Sequence, residues 1–165
     1  MKNLTDTISS FEFFQGLPQY ALEILSGCAQ RQDWPVHSYL AEEGSRADYF
    51  YAVEDGRLSI ELHRPGLGRH VIQTLGRGQV AGWSWLFPPH LWTFDIRALS
   101  PVRVLAFQGD CLLKLCSEHP EVGYIMMRRL AHVIAKRLQA TRLQLLDIYG
   151  STVPARVADE KSLAP

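Results

Sequence analysis

The chain has 165 residues, enough for one domain with a substantial buried core. Hydrophobic residues make up 47% and charged residues 21%, the ordinary proportions of a globular domain. Seventeen Lys and Arg balance 17 Asp and Glu, so the chain as a whole carries no built-in attraction to nucleic acid or anionic membrane, although a local basic surface stays open. The N-terminus, MKNLTDTISS, is polar and lacks the apolar stretch of an export signal. No segment approaches the roughly 20 apolar residues of a membrane span. Cys28, Cys111 and Cys116 are scattered and odd in number, which argues against a disulfide framework. A cytoplasmic location is the default expectation.

Taken in chain order, residues 9 to 27 read as a short amphipathic helical region. Phe11, Phe14, Leu17, Leu22 and Leu25 recur at roughly helical spacing, and Pro18 can open a second helix. From Arg31 to Gln108 the character changes to short β-prone runs: DWPVHSYL, YFYAV, RLSIELH, HVIQTL, FDIRAL and VRVLAF. Turn residues punctuate them, and Asp55-Gly56 between YFYAV and RLSIELH is a strong hairpin signal. Regularly spaced short strands of this kind point to a sandwich, jelly roll or small barrel. After Gly109 the helical period returns, with one short helix over 110 to 118 and a longer one from Pro120 to about Tyr149.

The long helix carries two apolar stripes. Tyr124, Ala131, Leu138 and Leu145 alternate with Met127, Ile134, Thr141 and Ile148 in a heptad seam suited to parallel dimerisation. Val122, Met126, Leu130 and Val133 form a second stripe suited to packing against the β-domain. The plainer account makes both stripes intramolecular core, but one small barrel covers only one side of so long a helix. Arg128, Arg129, Lys136, Arg137 and Arg142 make this helix basic, read as a solvated face rather than a nucleic-acid surface.

Four segments together resemble a known family: FFQGL at 13 to 17, EEGSRADYFYAVEDGRLSI at 42 to 60, LGRGQVAGWSWL at 75 to 86, and RLQATRLQLLDIYG at 137 to 150. They are similar to the ligand-binding half of the catabolite-activator and fumarate-nitrate-regulator transcription factors, and more widely to cyclic-nucleotide-binding domains. The resemblance implies an α+β, mainly β fold. Its parts would be an antiparallel jelly-roll barrel (a double-stranded β-helix), N-terminal helices and a long C-terminal dimerisation helix. It implies a domain over 9 to 150, between a flexible N-terminus (1 to 8) and a flexible tail (151 to 165).

Two departures from the family pattern matter. In the family a winged helix-turn-helix follows the hinge after the long helix. Here 15 residues without helical pattern follow Gly150, so direct DNA binding is not expected. The second departure lies in the pocket. In members that bind cyclic AMP, a short helix begins with Gly-Glu, and an arginine followed by a small hydroxyl residue comes later. The glutamate accepts from the ribose hydroxyl, and the arginine and helix N-terminus hold the cyclic phosphate. In this sequence Gly82 keeps the glycine, Trp83 takes the glutamate position, and Trp92 takes the arginine position ahead of Thr93. A buried phosphate without its counter-charge is costly, so tight cyclic AMP binding in the usual mode is not expected.

Three of the four tryptophans fall between 83 and 92, with Ser84 and Phe87 among them and Phe94 just beyond. Trp83, Trp85 and Trp92 either form an aromatic pocket for a flat or apolar ligand or simply fill the old site. Thr141 corresponds to the helix threonine that touches the purine in relatives; the alternative is a seam hydroxyl bonded to its own helix. His90 beside the cluster is weighed as a haem ligand against a plain loop residue, and the loop is preferred. No metal spacing and no catalytic constellation are present, so no cofactor and no enzyme activity are expected. The sequence reading is a non-catalytic regulatory module that senses a small molecule or engages a protein partner, as a homodimer and away from membranes. A regulator acting through a partner and a weak cyclic-nucleotide binder are the alternatives.

Overall fold

The computed structural model describes residues 3–150. The chain divides into two compact units, Met1–Leu130 and Ala131–Pro165.

The first unit opens with α1 (Leu4–Ser9), a single 3-10 turn (Glu12–Phe14) and α2 (Gln19–Cys28). The sequence pattern places the start of the ordered domain at residue 9; α1 starts at Leu4 instead, because Ile8 is fully buried and anchors it. Phe11, Phe14, Leu17, Leu22 and Leu25 are all buried, as the helical spacing implies. Phe14 packs 5.0 Å from the ring of Phe107, and Phe13 lies 5.1 Å from Phe50, so the N-terminal helices cover one face of the sheet that follows.

Eight strands then run as β1 (Ala29–Trp34), β2 (Tyr39–Ala41), β3 (Tyr49–Asp55), β4 (Leu58–Arg64), β5 (Gly68–Leu75), β6 (Val80–Ala81), β7 (Asp95–Ala98) and β8 (Val102–Gln108). They form two four-stranded antiparallel sheets, ordered β1-β8-β3-β6 and β2-β7-β4-β5, so the jelly roll is two sheets rather than one closed barrel. Between them lies a core that includes Tyr51, Val53, Leu58, Ile60, Trp92, Phe94, Ile96 and Val104.

Three sequence expectations change here. The run DWPVHSYL is two strands, because Pro35 offers no N–H to a ladder and His37 turns with φ +71°. Asp55-Gly56 is not a hairpin: β3 pairs with β8 and β6, whereas β4 pairs with β5 and β7, so this turn carries the chain from one sheet to the other. Gly56 has φ +86°, and any Cβ there would collide with the Pro101 carbonyl, so only glycine fits the crossing. The cysteines are the third change. Cys28 and Cys111, 83 positions apart, are joined by a disulfide, because the fold sets the end of α2 beside α3 (Gly109–Glu118).

The last helix, α4 (Pro120–Gly150), begins in the first unit, where Val122, Met126 and Leu130 are buried as one stripe. Tyr124 on the other stripe is 68% exposed and Met127 is half-buried. In the second unit Ala131 is exposed, Val133 and Ile134 are half-buried, and Leu138 and Leu145 are 59% and 49% exposed; Ile148 is exposed as well. The expected tail, 151 to 165, lies outside the described residues. No helix among the described residues is long and apolar enough to cross a membrane.

Candidate functional site

The segment from Gly82 to Phe94 follows β6, whose residues Val80 and Ala81 pair with Ala52 and Tyr51 of β3. It is tied to the loop before β3 by backbone hydrogen bonds. Trp92 N–H donates to the Ser45 carbonyl, Gly44 N–H to that of Trp92, and Ala47 N–H to that of His90, all at 2.8 Å. His90 itself turns with φ +56°, and its Nδ1 lies 2.8 Å from the Trp85 carbonyl, closing the loop on itself. That contact gives His90 a local structural task within the loop.

Inside, Trp92 is 4% exposed and stacks on Tyr51, with centroids 6.1 Å apart and planes 13° from parallel. Gly82, at φ +96°, lies directly beneath the indole: a Cβ there would sit 2.6 Å from Trp92 Cη2 and 3.4 Å from the Tyr49 carbonyl. Gly82 is therefore closed over by the Trp92 indole. Trp83 is half-buried and meets Phe94 edge-on at 5.3 Å. Trp85 is 2% exposed, lies 6.0 Å from Phe50, and abuts Gly109 at the start of α3. The Tyr51 hydroxyl donates to the Leu40 carbonyl at 3.1 Å, and burial, then the neighbouring Tyr49 and Asp48, holds its pKa well above the ordinary tyrosine value.

From Gly82 to Phe94 the only titratable side chain is that of His90, so the segment offers no fixed charge to a phosphate. Two polar groups do point inward unpartnered: Ser84 Oγ and Trp85 Nε1 are buried and make no hydrogen bond among the described residues. Burial alternates from Trp92 through β7. Trp92, Phe94, Ile96 and Ala98 are buried, while Thr93 is exposed on the opposite side. Arg97 shares that outer side; its guanidinium lies 3.0 Å from His37 Nδ1 and over the Tyr39 ring, away from the interior core. In the second unit Thr141 donates its hydroxyl to the Arg137 carbonyl one turn back, at 2.9 Å. Tyr51 and Gly109 are not singled out by the sequence: the run YFYAV has no apolar alternation, and Phe50 to Val53 are all buried. The described residues hold no group of three or more His, Cys, Asp or Glu side chains placed for a metal ion.

The family model described as cyclic nucleotide-binding domain matches residues 31–119. A CRP-like cAMP-activated global transcriptional regulator of Mycobacterium tuberculosis is 26% identical over 147 residues, covering 89% of this chain and 64% of that protein. The chain thus spans under two thirds of the length of this curated relative. Among solved structures, a cyclic nucleotide-binding domain from Methylobacillus flagellatus superposes with a TM-score of 0.74 at 18% identity, covering 93% of this chain and 85% of the other. The catabolite activator protein of Thermus thermophilus gives 0.66 at 22% identity, covering 84% of this chain and 62% of its own. At these identities the superpositions speak to the fold alone. The family match covers more than half of the sequence, from Arg31 within β1 through β8 and all of α3, and on that ground the chain belongs to the cyclic nucleotide-binding domain family.

Proposed function

We propose that the chain is a non-catalytic regulatory module whose nucleotide site is occupied by its own side chains. The observation that carries this reading is Trp92 lying over Gly82 and stacked on Tyr51, where a cyclic phosphate would need open space and a cation. A neutral indole supplies neither. Isothermal titration with cyclic AMP and cyclic GMP is expected to give no binding heat; micromolar or tighter binding of either overturns the proposal.

One observation favours a second reading, a sensor of some other small molecule. The unpartnered Ser84 Oγ and Trp85 Nε1 are groups that a ligand carrying an acceptor would satisfy. Thermal shift against a panel of uncharged aromatic compounds separates the two readings, since a filled site gains no stability from any of them. The role of the Mycobacterium tuberculosis relative as a transcriptional regulator supports work in gene control, with the present chain acting through a partner. We further propose a parallel homodimer through the seam of α4, supported by the exposure of Tyr124, Leu138 and Leu145 at heptad spacing.

A further inference from the structure

The Cys28–Cys111 disulfide joins the end of α2 to the first turn of α3, with Cα atoms 5.7 Å apart. Its two sulfurs differ in access: Cys28 is 3% exposed, whereas Cys111 is half-buried. Helix α3 is tightly fitted at both ends. At its start, a Cβ on Gly109 would come within 2.9 Å of Trp85 Cβ, and the Gly109 N–H donates to the Asp48 carbonyl at 2.8 Å. Near its end, a Cβ on Gly123 would come within 2.8 Å of the Cys116 carbonyl, so α3 also seats the first turns of α4. A covalent bond at Cys111 therefore acts on the element against which the Trp85 indole leans.

We propose that Cys28 and Cys111 are a reversible thiol–disulfide pair, a modification site whose state sets how firmly α3 holds the Trp85 end of the tryptophan segment. The exchanging species is a low-molecular-weight thiol. Its thiolate attacks the more accessible Cys111 sulfur; a mixed disulfide forms there, the Cys28–Cys111 bond breaks, and the electron pair leaves on Cys28 sulfur, which takes a proton. A second small thiolate then attacks the sulfur of the cap, releasing a small-molecule disulfide and leaving Cys111 reduced. Two small thiols are oxidised for the one protein disulfide reduced, and the reverse sequence uses the small-molecule disulfide as oxidant. Cys116 takes no part: it is not disulfide-bonded, and burial pushes its pKa up, which keeps its thiolate fraction low.

The test is to equilibrate the full chain in buffers of graded reduced-to-oxidised glutathione ratio, tag free thiols with an alkylating reagent, and count tags by intact mass. Tryptophan emission is read in the same samples. The tag count is expected to step from one to three, since the chain has three cysteines and only Cys116 is free in the oxidised form, with emission changing over the same step. Cys116→Ser keeps the emission change, while Cys28→Ser and Cys111→Ser lose it. A count that stays constant across the series, or an emission that ignores the step, overturns the proposal from the parent protein alone, even where a variant folds poorly. A Cys28→Ser protein whose emission responds like the parent's also overturns it.

Discussion

Gly82→Ala and Trp92→Ala, made singly and together, measure whether the indole and the glycine are fitted to one another. Alanine at 82 must adopt φ +96°, outside the regions open to L residues, at a backbone cost of about 1–3 kcal/mol. Its Cβ also lands 2.6 Å from Cη2 and 2.9 Å from Cζ3 of Trp92, and relieving that overlap adds about 1–3 kcal/mol. Trp92→Ala deletes a side chain only 4% exposed and is expected to cost about 3–5 kcal/mol. In the double variant the backbone cost remains but the overlap is gone. The two single losses should then exceed the double loss by about 1–3 kcal/mol, the overlap itself. Urea unfolding followed by circular dichroism gives all four stabilities. Additivity to within about 0.5 kcal/mol would mean that Trp92 does not close over Gly82, and the filled-site reasoning would fail with it.

Arg129 of α4 donates to the Phe13 carbonyl at 2.7 Å and to that of Gln15 at 2.5 Å, fastening the segment after α1. Hydrogen bonds from a charged donor contribute about 1.5–3 kcal/mol each, so Arg129→Ala should lower urea stability by about 3 kcal/mol, and Arg129→Lys should recover only part because one ammonium cannot replace the fork. Tyr51 has a folded pKa raised above the ordinary value of 10.0, so the folded state keeps its proton where the unfolded chain loses it. Its contribution is complete below pH 10.0 and is lost as pH rises beyond that value, with a slope approaching about 1.4 kcal/mol per pH unit. Tyr51→Phe should lack that alkaline slope in a stability-against-pH comparison with the parent; parallel curves refute the assignment. Leu138→Arg places charge in the middle of the proposed seam, and light scattering after size exclusion should report a monomer where the parent reports a dimer.

Local patterning made the helices and most strands legible. The apolar spacing of Phe11 to Leu25 and the stripe of Val122, Met126 and Leu130 both lie buried where the period placed them. What the sequence hid was non-local. An Asp-Gly pair specifies a positive φ but not whether the strands on either side pair with each other, and β3 and β4 go to separate sheets. β6 has two residues, too few to carry a period, and exists because Tyr51 and Ala52 of β3 offer it an edge. The Cys28–Cys111 contact arises from tertiary packing, to which an 83-residue separation gives no clue. At the site, residue identities alone showed that the segment from Gly82 to Phe94 is rich in tryptophan and carries no Asp, Glu, Lys or Arg. That Trp92 lies on Gly82, and that Arg97 faces outward beside His37, needed the geometry.

The central place of β8 in its sheet has a consequence for synthesis. β8 is hydrogen-bonded to β1 on one side and β3 on the other, yet it is the last strand of the eight to leave the ribosome. Until it emerges, β1 has no neighbour at all and β3 can pair only with the two residues of β6. The nascent chain therefore carries most of the β3 edge unpaired while the segment between β3 and the end of β8 is made, and the sheet closes late through contacts between distant parts of the sequence. Ribosome-bound chains that stop short of residue 108 are accordingly the species in which unpaired strand edges invite chaperones.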